Sequence, residues 1–240
     1  MTIAVRAFSG GMDSTSLLLR LRREGNEVYT IGFNYGQKHI IELTRAESNI
    51  DYLTEKGYNV TNSVVDLSSI MSTFSGSLTS NEKVPEGHYE ESQMKSTVVP
   101  NRNAIFASII YGYALSLSNK LNSKVSISLG VHSGDHAIYP DCRPEFYQKL
   151  NDAFDIGNWD SDKVELNLPY IDGDKTTILQ DAIISCEQLL LDFDFVFANT
   201  NTLASRSSSS SSSLWSSVFA TSKRLLSAES TTNITPFVLL

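Results

Sequence analysis

An apolar extended run, Ile3–Phe8, ends in Ser9-Gly10-Gly11-Met12-Asp13-Ser14 and passes directly into the apolar helical pattern of Leu17, Leu18, Leu19 and Leu21. A chain that begins strand, glycine turn, helix is committed to a βα start. The rest of the sequence repeats that unit. Extended patterns follow at Glu27–Asn34, Asn59–Asp66, Lys124–Gly130 and Val164–Leu168. Helical patterns lie between them at Asp13–Glu24, His39–Lys56, Asn101–Asn119, Pro144–Phe154 and Asp174–Leu189. Strands alternating with helices of this length predict an α/β fold, an open and mostly parallel sheet with helices on both faces. Such a sheet binds ligands outside the carboxyl ends of its strands.

The glycine run stands at such an end. Glycines let the backbone approach an anion closely, free N–H groups converge on it, and the helix dipole adds partial positive charge. The Gly-Lys-Ser/Thr ending of a Walker A loop is missing, so this is a different phosphate loop. An ordinary strand-to-helix turn accounts for a bare Gly-Gly, not for the six residues together.

The net charge of −8 argues against a general nucleic-acid surface. An anionic small substrate then needs local basic groups. No apolar run is long enough to span a bilayer, and the start MTIAVRAF lacks a secretory pattern. Two cysteines, Cys142 and Cys186, make no disulfide framework, so a cytoplasmic location is expected.

Three further segments carry polar chemistry. Phe33-Asn34-Tyr35-Gly36-Gln37-Lys38-His39 closes the second strand pattern; Lys38 offers phosphate a point charge, and His39 reads as a solvated helix start. Val98-Val99-Pro100-Asn101-Arg102-Asn103 opens an apolar helix with Asn101 at the cap position. Arg102 there opposes the helix dipole and calls for an anionic partner, either a carboxylate of this protein or a phosphate. Gly130-Val131-His132-Ser133-Gly134-Asp135-His136 is followed by Tyr139-Pro140-Asp141-Cys142-Arg143-Pro144-Glu145-Phe146. This stretch is dense in groups that read a flat polar ligand. Cys142 with the two histidines matches no standard zinc spacing; as a nucleophile activated by Arg143 it competes with a packing or contact role.

Taken in order, FSGGMDS, YGQKH, VPNRN and YPDCRPEF resemble the 7-cyano-7-deazaguanine synthase family of the PP-loop ATP pyrophosphatase superfamily. The resemblance runs from the first residues to about Thr202. It implies an adenine nucleotide alpha hydrolase-like fold of the PP-loop type. It also implies a ligase that converts 7-carboxy-7-deazaguanine and ammonia, with ATP and Mg²⁺, to the nitrile through adenylated intermediates. The product would serve queuosine or 7-deazaguanine in DNA. By resemblance, Phe8, Ser9, Gly10, Gly11, Met12, Asp13, Ser14 and Thr15 bind ATP. Asp13, Ser14, Lys38, Arg102 and Arg143 are the candidate catalytic residues, and Asp13 is the candidate Mg²⁺ ligand. Tyr35, Gln37, Asp135, Tyr139, Asp141, Cys142, Arg143, Glu145 and Phe146 are candidates for the substrate pocket. Asp135, Asp141 or Glu145 would accept from the base edge, and Arg143 would pair with the substrate carboxylate. The resemblance implies a homodimer and no direct contact with nucleic acid or membrane.

The family's four-cysteine zinc site has no counterpart, because the chain carries only two cysteines. From residue 203 the composition changes to a Ser-rich tail with the unbroken run Ser207–Ser213, which cannot bury enough apolar surface to order itself. A synthase domain over 1–202, with a flexible flap at 72–96, and an atypical or disordered tail over 203–240 are the expected organisation. A short helix near Ser222–Ser227 and a frameshift near Leu203 belong to the same expectation. Alternative readings are an enzyme that stops at the 7-amido product, a PP-loop transfer-RNA modifier, and a nucleotide-binding remnant without turnover.

Overall fold

The computed structural model describes residues 2–37, 41–74, 99–132 and 139–198. Strand β1 (Ile3–Ala7) is buried at every position, as the centre of a parallel sheet requires. It is followed by α1 (Met12–Arg23), β2 (Glu27–Asn34), α2 (Ile41–Glu55), β3 (Val60–Asp66) and the short α3 (Ser68–Met71). The second half comprises α4 (Arg102–Leu121), β4 (Val125–Ser128), α5 (Pro144–Gly157), β5 (Val164–Asn167), α6 (Lys175–Gln188) and α7 (Phe193–Ala198). Single 3-10 turns at Pro140–Cys142 and Ser161–Lys163 precede α5 and β5. The sheet order is β3-β2-β1-β4-β5, and every pairing is parallel.

The strand period of two sorts the core into two layers. Ile3, Val5 and Ala7 face Phe106, Ile110 and Ala114 of α4 and Tyr147 of α5. Ala4 and Phe8 lie in the other layer, with Leu17, Leu18 and Leu21 of α1, Ala46 and Ile50 of α2, and Ile178 of α6. Helices therefore cover both faces, as the alternating pattern predicts. Each fully buried leucine of α1 contributes roughly 1.5–3 kcal/mol.

One half-buried seam is polar. Asp181 of α6 binds Arg23 of α1 at 2.7 Å, Arg20 at 3.5 Å and the Tyr170 hydroxyl at 2.6 Å. Arg6 of β1 is buried beside it; its Nε donates to the Ala7 carbonyl at 3.0 Å, and its guanidinium lies 5.7 Å from the Phe8 ring centre. Burial lowers the Arg6 pKa to about 9. This seam fixes α6 against α1.

The five strands and five helices expected between Ile3 and Leu189 are all present, with shifted ends, and the short helix expected near Ser222–Ser227 lies outside the described residues. The pattern over Lys124–Gly130 shortens to Val125–Ser128, because Leu129–His132 leave the ladder toward the loop after β1. Helix α4 runs past Asn119 to Leu121 and stops at Asn122, which is left-handed with φ 48°. Asn101 holds the cap position of α4 but is left-handed too, with φ 57° and no side-chain cap bond. Asp174, by contrast, closes a full capping box with Thr177 at the start of α6. The sequence patterns did not reveal α3 or α7; both are short, at 4 and 6 residues. The flap beyond residue 74 and the tail from 203 lie outside the described residues.

Candidate functional site

The chain steps from β1 to β2 to β3 on one side, then returns to place β4 on the other side of β1. The switch point therefore lies between β1 and β4, and the loop Phe8–Gly11 opens at its carboxyl end. That loop is knit from within. Ser9 Oγ and Ser14 Oγ are 3.1 Å apart, Gly11 N–H donates to Ser9 Oγ at 3.3 Å, and Ser14 Oγ donates to the Gly11 carbonyl at 3.0 Å. The α1 ladder begins with Thr15 N–H to the Gly11 carbonyl at 2.9 Å, and no side chain caps the helix. The first-turn N–H groups of Met12, Asp13 and Ser14 are therefore left for a ligand. Gly10 takes φ +76°, and a Cβ there would stand 2.9 Å from Ala46 N and from the Glu42 carbonyl. Only glycine lets the loop lie this close to α2.

Asp13 is 8% exposed and is the hub of the α1 side. Its Oδ2 accepts from Lys175 Nζ at the start of α6 and lies 3.8 Å from His132 Nε2. Its Oδ1 is buried without a hydrogen-bond partner. Gly130, just past β4, packs against the Asp13 backbone with 3.5 Å between its Cβ position and the Asp13 carbonyl oxygen. His132 lies in the segment that the sequence marks as dense in ligand-reading groups, though not as a partner of Asp13, whereas Lys175 carries no motif around it and was not among the candidates from sequence. The available signal was a lysine in a helix first turn, opposed to the dipole and in need of an anion.

On the α2 side a small recess opens between the loop, the end of β2 and α4. It is lined by Ser9, Phe33, Tyr35, Gln37, Glu42 and Phe106, among others. Phe33 and Phe106 stack at 4.0 Å. Glu42 is half-buried, and burial pushes its pKa up to about 7 against the pull of Arg45 and Arg102. Sequence reading passed over Glu42 because a lone glutamate in a first helical turn is common. Gln37 serves this wall: its Oε1 accepts from Tyr35 N–H at 2.9 Å, and its Nε2 donates to the Phe33 carbonyl at 3.1 Å. Those bonds occupy the amide that sequence reading assigned to substrate.

Arg102 joins the motifs. It lies 6.0 Å from the Tyr35 ring centre, donates from Nε to Asn103 Oδ1 at 3.1 Å, and acts electrostatically on Glu42 and Tyr147. Burial raises the Tyr35 pKa, and Arg102 opposes that shift. Tyr147 is fully buried, and burial, Cys142 and Asp141 all raise its pKa while Arg102 lowers it. The YPDCRPEF segment thus reaches the PNRN segment through Tyr147. Cys142 is buried, Phe146 packs edge-on to Tyr147 at 5.1 Å, and Arg143 and Glu145 are exposed. Lys38, His39 and Asp135 lie outside the described residues.

Metal sites follow the same division. The buried Oδ1 of Asp13 is an acceptor suited to one bond to Mg²⁺, whose remaining ligands would be phosphate and water oxygens. A four-cysteine zinc site does not fit: the two cysteines are free and buried, and no group of three or more His, Cys, Asp or Glu gathers among the described residues. No helix among the described residues is long and apolar enough to cross a membrane.

A family model described as Queuosine biosynthesis protein QueC matches residues 3–199. The chain is 47% identical over 177 residues to a protein named 7-cyano-7-deazaguanine synthase 1 from Colwellia psychrerythraea, covering 73% of this chain and 76% of that one. It is 48% identical to a 7-cyano-7-deazaguanine synthase from Pseudoalteromonas translucida, with the same coverage of 73% and 76%. A 7-cyano-7-deazaguanine synthase from Hahella chejuensis is 46% identical over 75% of this chain and 73% of its own. A solved structure titled as a predicted subunit of tRNA methyltransferase from Methanocaldococcus jannaschii superposes with a TM-score of 0.47 over 76% of this chain and 75% of its own, at 15% identity, a likeness too slight to carry an argument.

Proposed function

The chain belongs to the family of Queuosine biosynthesis protein QueC, and on that premise we propose that it is an ATP-dependent ligase converting 7-carboxy-7-deazaguanine and ammonia to 7-cyano-7-deazaguanine. The observation that carries this reading is the uncapped start of α1 at the carboxyl end of β1, with Lys175 seated on Asp13. A carboxylate is a poor electrophile, so its oxygen must first be made a leaving group. Attack of that oxygen on the α-phosphate of ATP does so and expels pyrophosphate. The N–H groups of Met12, Asp13 and Ser14, the α1 dipole and the Lys175 ammonium supply positive charge where the pyrophosphate gathers negative charge. Mg²⁺, held with Asp13 Oδ1, would neutralise phosphate charge during that step.

The deazaguanine then lies toward Arg102 and the Tyr139–Phe146 segment. Arg102 is the cation that serves the α4 side of the site, and Arg143, exposed within the Tyr139–Phe146 segment, pairs with the substrate carboxylate. Tyr35, Tyr139 and Asp141 shape the base pocket. The family match ends at residue 199, which supports a synthase unit ending near residue 202. Two buried free cysteines agree with a reducing, cytoplasmic location. Ammonia as the nitrogen donor and a homodimer complete the reading.

Incubation of the protein with 7-carboxy-7-deazaguanine, ATP, Mg²⁺ and ammonium, followed by mass spectrometry, tests it. The expected product is the nitrile with AMP and pyrophosphate. Accumulating amide would mean that the enzyme stops one activation short, and intact substrate with bound ATP would mean that no ligase is present.

A further inference from the structure

Activation of the carboxylate leaves the nitrogen donor without a place, and ammonium at neutral pH has no lone pair with which to attack. The recess on the α2 side answers both needs. It leaves about 10 Å³ for the centre of a water-sized molecule, enough to seat about one, and ammonia is of that size. Its walls include Ser9 of the loop itself, so it adjoins the place where the acyl-adenylate would form. Two stacked rings, Phe33 and Phe106, offer aromatic surface to a small cation. Glu42 is its acidic group, with no hydrogen bond or ion pair to its side chain among the described residues.

We propose that this recess is the nitrogen-donor subsite and that Glu42 takes a proton from ammonium there. This rests on the ligase reading above. Three elements face Glu42 with titratable or charged groups: α2 itself with Arg45, α4 with Arg102, and the end of β2 with Tyr35. Desolvation disfavours both members of an ammonium–carboxylate pair, so transfer to ammonia and a neutral carboxyl is favoured in so small a space. The two arginines repel ammonium but also hold the carboxylate charged, so burial is what sets the direction of transfer. A carboxyl that titrates near neutrality is suited to this exchange.

The step balances as follows. Ammonium gives one proton to Glu42, and the freed nitrogen lone pair attacks the acyl carbon. The new C–N bond forms, the C–O bond to phosphate breaks with its electron pair leaving on AMP, and the nitrogen releases a second proton. The amide, AMP and two protons result, one proton having passed through Glu42 to solvent.

The test is Glu42→Gln, with adenylation and nitrogen transfer measured separately. Exchange of labelled pyrophosphate into ATP, dependent on 7-carboxy-7-deazaguanine, should stay within about threefold of wild type, because adenylation needs no base. Product formation at neutral pH should fall about 100-fold or more. The deficit should shrink as pH rises and ammonia forms in solution, which a merely structural role would not produce. A deficit independent of pH, or exchange lost in parallel with product, overturns the subsite. A wild-type protein that shows neither exchange nor product overturns the ligase reading instead. The subsite itself is then read without turnover, from the infrared carboxyl band of Glu42 identified by difference with Glu42→Gln. Ammonium chloride should shift that band's titration where sodium chloride does not; equal behaviour in the two salts overturns the site.

Discussion

Two carboxylates flank one phosphate loop, and they are kept in opposite ways. On the α1 side, Asp13 is buried with Lys175 on one oxygen and His132 3.8 Å away. On the α2 side, Glu42 is half-buried with two arginines in electrostatic reach and none bonded to it. The first arrangement holds charge in place, which suits binding of a nucleotide and its metal. The second leaves a proton free to come and go, which suits the nitrogen chemistry. The difference arises from backbone placement. Gly130 lets β4 approach Asp13, and the Asp174 capping box starts α6 where Lys175 reaches it. Gly10 lets the loop lie on the first turn of α2, and burial in the recess beside it raises the Glu42 carboxyl.

Substitutions that act on one side only should separate these roles. The largest effect is expected from Asp13→Ala, which removes the hub of the α1 side. Turnover should fall by about 100-fold to 1,000-fold, the scale of a lost electrostatic contact at a reacting centre, while circular dichroism stays that of the folded protein. Wild-type rates would dissolve the distinction between the two sides. Gly10→Ala attacks the contact between loop and α2. A left-handed φ and two backbone contacts at 2.9 Å have no soft neighbour to yield, so urea denaturation should show a loss of about 2 kcal/mol or more.

Asp181→Ala bears on the scaffold of the α1 side. It leaves Arg20, Arg23 and Tyr170 without their shared acceptor. Because the seam is only partly shielded from water, a loss of about 1–3 kcal/mol in urea denaturation is expected. The effect confined to one pH window, and the one with a sign, is the stability of Glu42→Gln. The folded pKa of about 7 lies above the ordinary value of 4.5, so the native state binds more protons than the unfolded one between those values. Wild-type stability therefore falls as pH rises through that window. Glutamine removes the charge that causes the fall, so the variant should gain about 1–3 kcal/mol over wild type at pH 8 and close to nothing at pH 4. A constant difference across pH would assign Glu42 a solvated surface instead.

The α1 side was the more legible in sequence. Glycines, small hydroxyls and a carboxylate between a strand and a helix have few uses, so Ser9–Ser14 announced itself. Its partners did not, because Lys175 and His132 reach Asp13 through α6 packing and through the departure of residues 129–132 from the ladder. Neither leaves a local signature. The α2 side was half legible. Tyr35 and Arg102 drew notice as polar residues at element ends, whereas Gln37 proved to be a staple for its own turn. Glu42 could not be found, since its perturbation comes from burial that only the packed fold creates. The Asp181 seam was invisible for the same reason: Arg20, Arg23, Tyr170 and Asp181 meet only when α1 and α6 pack.

The proposed ligase must cleave ATP between its α- and β-phosphates at the loop after β1. Exchange of labelled pyrophosphate into ATP, measured with and without 7-carboxy-7-deazaguanine, tests this most directly. Exchange should require the substrate, persist without ammonium and vanish in Asp13→Ala. Release of ADP and phosphate in place of exchange, or exchange indifferent to the substrate, would contradict it.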